Sequence, residues 1–168
     1  MLSEKLTLKW KKPNPEKEHS EVKYQLKKGC KPGETLTGCP DWVKKRLKKL
    51  RDKKKWKAAL KAGIEKHFGR EHIKKIGWFG PRGNTGETWK QILHKKYFDQ
   101  SAGEHFKHVN TPYKIKEKMK AGKGLRKPVV LHNPKTGAHW LIGGHHRMSY
   151  VSTKLKKPVA AHVIEDTK

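Results

Sequence analysis

Ala138-His139-Trp140-Leu141-Ile142-Gly143-Gly144-His145-His146-Arg147-Met148 is the stretch that decides how this chain is read. An apolar run meets two glycines and then a cluster of donors. Beyond it lie Ser149-Tyr150-Val151-Ser152-Thr153 and a second apolar run, Pro158-Val159-Ala160-Ala161-His162-Val163-Ile164. The order predicts strand, tight turn, helix, strand. Two glycines let the backbone bend sharply and approach a ligand closely. A helix that starts there points N–H groups at an anion. His145, His146 and Arg147 add donors and positive charge at the same corner, so the stretch reads as a phosphate-binding corner. The bland alternative is a strand that simply ends at two glycines, with basic residues facing solvent.

The corner carries a resemblance. Gly144-x-His146-Arg147 between a strand and a helix resembles the Gly-x-His-Arg box of sulfiredoxin and the corresponding boxes of the ParB partition proteins. Upstream, Lys123-Gly124-Leu125-Arg126-Lys127-Pro128-Val129-Val130-Leu131 is similar to the glycine–leucine–proline–strand segment of ParB-like domains. Thr111-Pro112-Tyr113-Lys114-Ile115-Lys116-Glu117-Lys118-Met119 is similar to their short helix. A turn at Asn133-Pro134-Lys135-Thr136-Gly137 joins the two boxes. The match runs from about Val109 to Ile164.

The resemblance implies an α+β fold with a small mixed sheet and helices over residues 106–168; the residues themselves add a basic, mainly helical region over residues 1–105, read as an N-terminal region or as an insertion. Within that region, residues 5–10 (Leu6, Leu8 and Trp10 alternating) read as a strand that could join the C-terminal sheet. The resemblance also implies that His146 and Arg147 contact a phosphate; Gly143, Gly144 and Lys123 are further candidates for phosphate or nucleotide contact, and His145, His146 and Arg147 are the candidates for any catalysis. Sulfiredoxin has its reactive cysteine where this chain has His145, so repair of oxidised cysteine is excluded. Partition proteins have a glutamate there, which puts CTP hydrolysis of their kind in doubt. Arg147 could grip a phosphate with two parallel bonds, and His146 could serve as acid or base near neutral pH.

Charge supplies the second clue. The 168 residues hold 42 Lys plus Arg against 15 Asp plus Glu, a formal net charge of +27. Self-repulsion of that size opposes compactness, and a polyanionic partner relieves it. Nucleic acid is the partner expected, DNA ahead of RNA. A membrane surface is not, because no long apolar segment and no strongly apolar helix face is present.

The basic residues concentrate in an expected helix over residues 41–62. Trp42, Val43, Leu47, Leu50, Trp56, Ala59 and Leu60 form its apolar stripe. Lys44, Lys45, Arg46, Lys48, Lys49, Arg51, Lys53, Lys54, Lys55 and Lys57 fill most of the rest, broken by Asp52. Like charges three and four apart destabilise a helix, and phosphates would relieve them. Such contacts set affinity and not sequence preference. The competing reading is a solvated face.

The remaining segments are expected as follows. Residues 21–28 are ambiguous. Residues 63–75 continue as a weaker helix. Residues 77–86 form a glycine-rich loop, not a Walker P-loop, with Arg82 as a candidate phosphate contact. Residues 87–98 read as a helix, and 99–103 as a linker. Cys30 and Cys39 read as free thiols, and a zinc site built on them with His19 fits no common spacing. No signal peptide is read after Met1, so a cytoplasmic location is expected.

Three functions compete. The first is a DNA-directed endonuclease of ParB-like type, with magnesium or manganese as an open requirement. The second is a non-enzymatic DNA- or RNA-binding protein of phage or plasmid type that coats or blocks its target. The third is a nucleoside-triphosphate-binding hydrolase or kinase-like switch.

Overall fold

A computed structural model describes residues 8–28, 40–78 and 112–165. The elements are β1 (Trp10–Lys11), α1 (Pro15–Lys28), α2 (Asp41–Leu50), α3 (Lys53–Ala62), β2 (Ile64–Phe68), α4 (Arg70–Ile73) and β3 (Gly77–Trp78). After these come α5 (Pro112–Lys120), β4 (Leu125–Arg126), β5 (Val129–His132), β6 (His139–Gly143), α6 (His145–Ser149), a π-helical turn (Tyr150–Lys154) and β7 (Val159–Glu165). The fold is α+β.

Five strands form a mixed sheet in the order β2-β7-β5-β6-β3. β7 is antiparallel to β2 and parallel to β5; β6 is antiparallel to β5 and parallel to β3. The β5–β6 turn falls at the Asn-Pro-Lys-Thr-Gly stretch. Asn133 Oδ1 accepts from the Lys135 N–H at 3.0 Å, and Gly137 takes a positive φ of 77°.

Alternation along the strands divides the core in two. On one face Val129, Leu131, Trp140, Ile142 and Ile164 pack against Val22 and Leu26 of α1, Val43, Leu47 and Leu50 of α2, and Trp56 and Leu60 of α3. On the other, Val130, Leu141, Val159, Ala161 and Val163 pack against Ile73, Ile115, Met119, Met148 and Val151. The described residues therefore form helices on both sides of one sheet. The boundary expected at residues 105 and 106 lies outside the described residues. Across it, β2 and β3 share the sheet with β5, β6 and β7.

Several expectations are corrected. The basic helix is two helices. Asp52 takes an extended conformation, and its side chain accepts from the N–H groups of Lys54 and Lys55, capping α3. That local bond ends α2 and re-aims the chain, yet Val43, Leu47, Leu50, Trp56 and Leu60 of the apolar stripe are buried, with Trp42 and Ala59 partly buried beside them. Residues 63–75 are not one helix. Ile64–Phe68 is an edge strand on β7, followed by the short α4. Its sequence, Ile-Glu-Lys-His-Phe, buries only its last residue, so it carries little apolar periodicity.

The ambiguous stretch lies within α1, which begins at Pro15. Asn14 Oδ1 accepts from the N–H groups of Glu16 and Lys17, both at 3.1 Å, and Pro15 suits the first helical position. Of the strand read over residues 5–10, residues 5–7 lie outside the described residues and Leu8 and Lys9 are not strand; only Trp10 is, in β1, which pairs in parallel with β4 in a separate two-stranded sheet and not in the five-stranded one. Gly77 and Trp78 are strand, not loop. Residues 79–111, with Arg82 and the expected helix at 87–98, lie outside the described residues, as do Cys30 and Cys39.

Candidate phosphate-binding corner

β6 ends at Gly143, and Gly144 turns the chain with φ 94° and ψ 26°, a left-handed conformation that glycine adopts without strain. A Cβ on Gly144 would lie 2.8 Å from both Arg147 Nη2 and the Pro128 Cα. The predicted strand–turn–helix–strand order is present. The helix after the turn is short: α6 spans five residues before the π-helical turn takes over. A π-helical turn directly after such a corner is a feature often met at functional sites.

Arg147 does not face solvent. Its side chain is 3% exposed, and its Nη2 donates to Glu18 Oε1 at 3.1 Å; the Glu18 side chain is 2% exposed. Arg126 of β4 brings its Nε to 3.8 Å from the same oxygen. The other Glu18 oxygen packs on Gly143, where any Cβ would run into it. The two-bond grip expected of Arg147 is thus a single bond to an internal carboxylate. Among the described residues, Arg147 Nε and Nη1, and Arg126 Nε, have no hydrogen-bond partner. Buried donors without acceptors are costly, and they concentrate at binding sites.

The electrostatics follow from burial among like charges. The Lys118 ammonium of α5 is pushed down to about 8, by burial first and then by Arg126, Arg147, Lys11 and Lys17. Arg126 is also lowered by burial and by Arg147, with Glu18 and Glu21 opposing. Burial drives His145 down to about 4, with Glu21 opposing and Arg147 assisting. His146 also falls to about 4 through burial, then His145 and Arg147, with Glu21 opposing. Both imidazoles are therefore neutral near pH 7. The His145 ring also meets the edge of Trp78, with centroids 5.9 Å apart.

The corner unites Gly143, Gly144, His145, His146 and Arg147, as read from the sequence. Lys123 is exposed in the turn after α5, and the cations facing the corner are Lys118 and Arg126 instead. The acids at the corner, Glu18 and Glu21, come from α1, over a hundred residues away in sequence. They were not anticipated, although an Asn-Pro start followed by Glu16 and Glu18 is a legible helix N-terminus. Of the acids nearer in sequence, Glu117 is exposed and Glu165 pairs with His132 at 2.8 Å; Glu104 and Asp166 lie outside the described residues.

These residues test the implied cofactors. Glu18 is committed to Arg147, and the surroundings are cationic, so the donor set does not fit magnesium or manganese. No group of three or more metal-ligating side chains occurs among the described residues. The phosphates of a nucleotide fit the charge better. His19, weighed as a zinc ligand, is buried, with its Nε2 at 3.0 Å from Leu50 O and 3.1 Å from Arg51 O at the end of α2. It stacks on Trp56, whose Nε1 donates to Pro15 O at 2.7 Å.

The expected basic surface lies on the helix layer. Lys45, Lys48, Lys49, Arg51, Lys53, Lys54, Lys55 and Lys57 are exposed on α2, α3 and the link between them. Lys44 and Arg46 are half-buried, and Arg46 Nη2 donates to Glu165 O at 3.4 Å. No helix among the described residues is long and apolar enough to cross a membrane. No family model, no curated protein and no solved structure matches the chain.

Proposed function

We propose that the protein binds nucleic acid, with DNA as the first partner to test, by laying the outer face of α2 and α3 along the phosphate backbone. One observation carries this reading. The apolar residues of both helices are turned inward to the sheet, which leaves a dense one-sign surface outside. Asp41 and Asp52 are the only acids between residues 41 and 62, and Asp52 is engaged in capping α3. Folding alone gives no reason to gather so much like charge, whereas phosphates neutralise it and release counterions.

A second reading adds chemistry at the glycine corner in the manner of a ParB-like nuclease. What favours it is the neutral state of His145 and His146 beside two buried guanidinium groups. A neutral imidazole can take a proton from an attacking water, and a guanidinium can stabilise charge that builds on phosphorus-bound oxygen. The same cations favour a nucleotide-binding role.

Plasmid DNA separates these readings. Retardation that weakens with salt, without nicking in the presence or absence of magnesium or manganese, supports binding alone. Nicking that disappears in His146→Ala supports the nuclease. Nucleotide-dependent thermal stabilisation supports the switch. Failure to retard plasmid at low salt would overturn the principal reading.

A further inference from the structure

The sheet has helices on both sides, and positive charge lies outside both layers. α2 and α3 cover one face through Val43, Leu47, Leu50, Trp56 and Leu60. α4 and α5 cover the other through Ile73, Ile115 and Met119. Helices that bury their apolar sides against opposite faces of one sheet turn their polar sides in opposite directions. Outside α2 and α3 lies one basic surface. Outside α4 and α5 lies a second. Arg70, Lys74 and Lys75 come from α4 and the turn after it, Lys116 and Lys123 from α5 and the turn after it, and Lys156 and Lys157 from the link into β7; all are exposed. Glu71 and Glu117 are the only acids in residues 70–78, 112–126 and 154–158, and Lys74 takes up Glu71 at 3.3 Å. The surplus on this side is again of one sign.

We infer that one copy of the protein is bivalent and holds two nucleic-acid segments at once, one against α2 and α3 and the other against α4, α5 and the link into β7. The inference rests on the proposed nucleic-acid binding, and adds a second contact surface and its consequence, the bridging of duplexes. A duplex on α2 and α3 cannot reach the far cations, because the sheet and both helix layers stand between. A helix with its side chains is about 10–12 Å across, so two layers alone set the surfaces about 20 Å apart. The Debye length is about 8 Å at physiological ionic strength, so phosphates on one side neither neutralise the other side nor repel a second duplex there. The two surfaces also cannot swing round onto one duplex. Val130, Leu141 and Val163 of β5, β6 and β7 carry one helix layer, and Leu131, Trp140 and Ile164 of the same strands carry the other, so no hinge lies between them.

The test anchors one DNA duplex on beads and measures how much of a second, labelled duplex the full chain captures; gel retardation of one duplex alone runs beside it. Capture should rise with protein and then fall once protein exceeds DNA, because every duplex is then covered by its own copies. Replacing Lys74, Lys75, Lys116 and Lys123 together by Gln should lower capture by more than about tenfold, at about four phosphates no longer neutralised. Single-duplex affinity should drop no more than about twofold, the loss of one of two sites. Lys156→Gln with Lys157→Gln should act in the same direction, and decides the matter if the fourfold variant does not fold. Retardation of one duplex without capture of a second overturns the inference, as does capture unchanged in these variants. Capture that persists at protein excess also overturns it, because copies joined to one another would then be the bridge. Absence of retardation overturns the nucleic-acid reading itself.

Discussion

Replacing Glu18 by Gln should destabilise the protein by about 3–5 kcal/mol at pH 7, the range for breaking a buried ion pair from one side. Both side chains of the pair are nearly closed to water and lie 3.1 Å apart. Gln can still accept the Arg147 bond, but it removes the negative charge that sits against the buried Arg147 and the half-buried Arg126. Arg147→Met is the informative contrast. Glu18 then keeps Arg126 at 3.8 Å, so its carboxylate is not left without a cation. Its cost should therefore be lower, by about 1–2 kcal/mol on the same scale. Urea unfolding of wild type, both single variants and the double variant gives the coupling, provided that the slopes with denaturant agree. The double variant should be little worse than Glu18→Gln alone. An Arg147→Met variant costlier than Glu18→Gln, or a coupling below about 0.5 kcal/mol, refutes the reasoning, since residues in contact couple by more than that.

Gly144→Ala should destabilise by at least about 1 kcal/mol, because φ 94° disfavours a Cβ and that atom would crowd Arg147 Nη2 and Pro128; urea unfolding measures it. Asn14→Ala removes the cap on α1 and should cost about 1 kcal/mol by the same assay. The two corner histidines bind protons less readily folded than unfolded. Stability should fall as pH drops from about 6.5 towards about 4, and the slope should flatten in a His145→Gln, His146→Gln double variant. NMR titration should find both imidazoles neutral at pH 6, and a midpoint near 6.5 would contradict the burial that depresses them.

Patterns that repeat over several residues were legible in the sequence. The buried stripe of α2 and α3, the β5–β6 turn and the order of elements around Gly144 all follow from periodicity or glycine placement. Single local bonds were harder. Asp52 looked like a gap in a charge run, and its side chain in fact divides one helix into two. β2 has charged residues on an edge and little alternation, so only its pairing with β7 makes it a strand. The corner was half legible for a related reason. Its glycines, histidines and Arg147 are contiguous, but Glu18, Lys118 and Arg126 arrive through tertiary packing, and no local pattern announces which acid a buried arginine will meet.

The salt dependence of duplex DNA binding tests the central claim most directly. α2 and α3 have ten residues each, about 15 Å of helix at 1.5 Å per residue. Phosphates along one strand are spaced by about 3.4 Å, so each helix can track about four. The plot of log K against log salt should slope at about −4 if one helix engages and about −7 if both do. Replacing Lys53, Lys54 and Lys57 together by Gln should make it shallower by about 2 to 3, at about 0.9 for each phosphate that is no longer neutralised. A wild-type slope shallower than about −1, or one that the triple replacement leaves unchanged, would contradict the account.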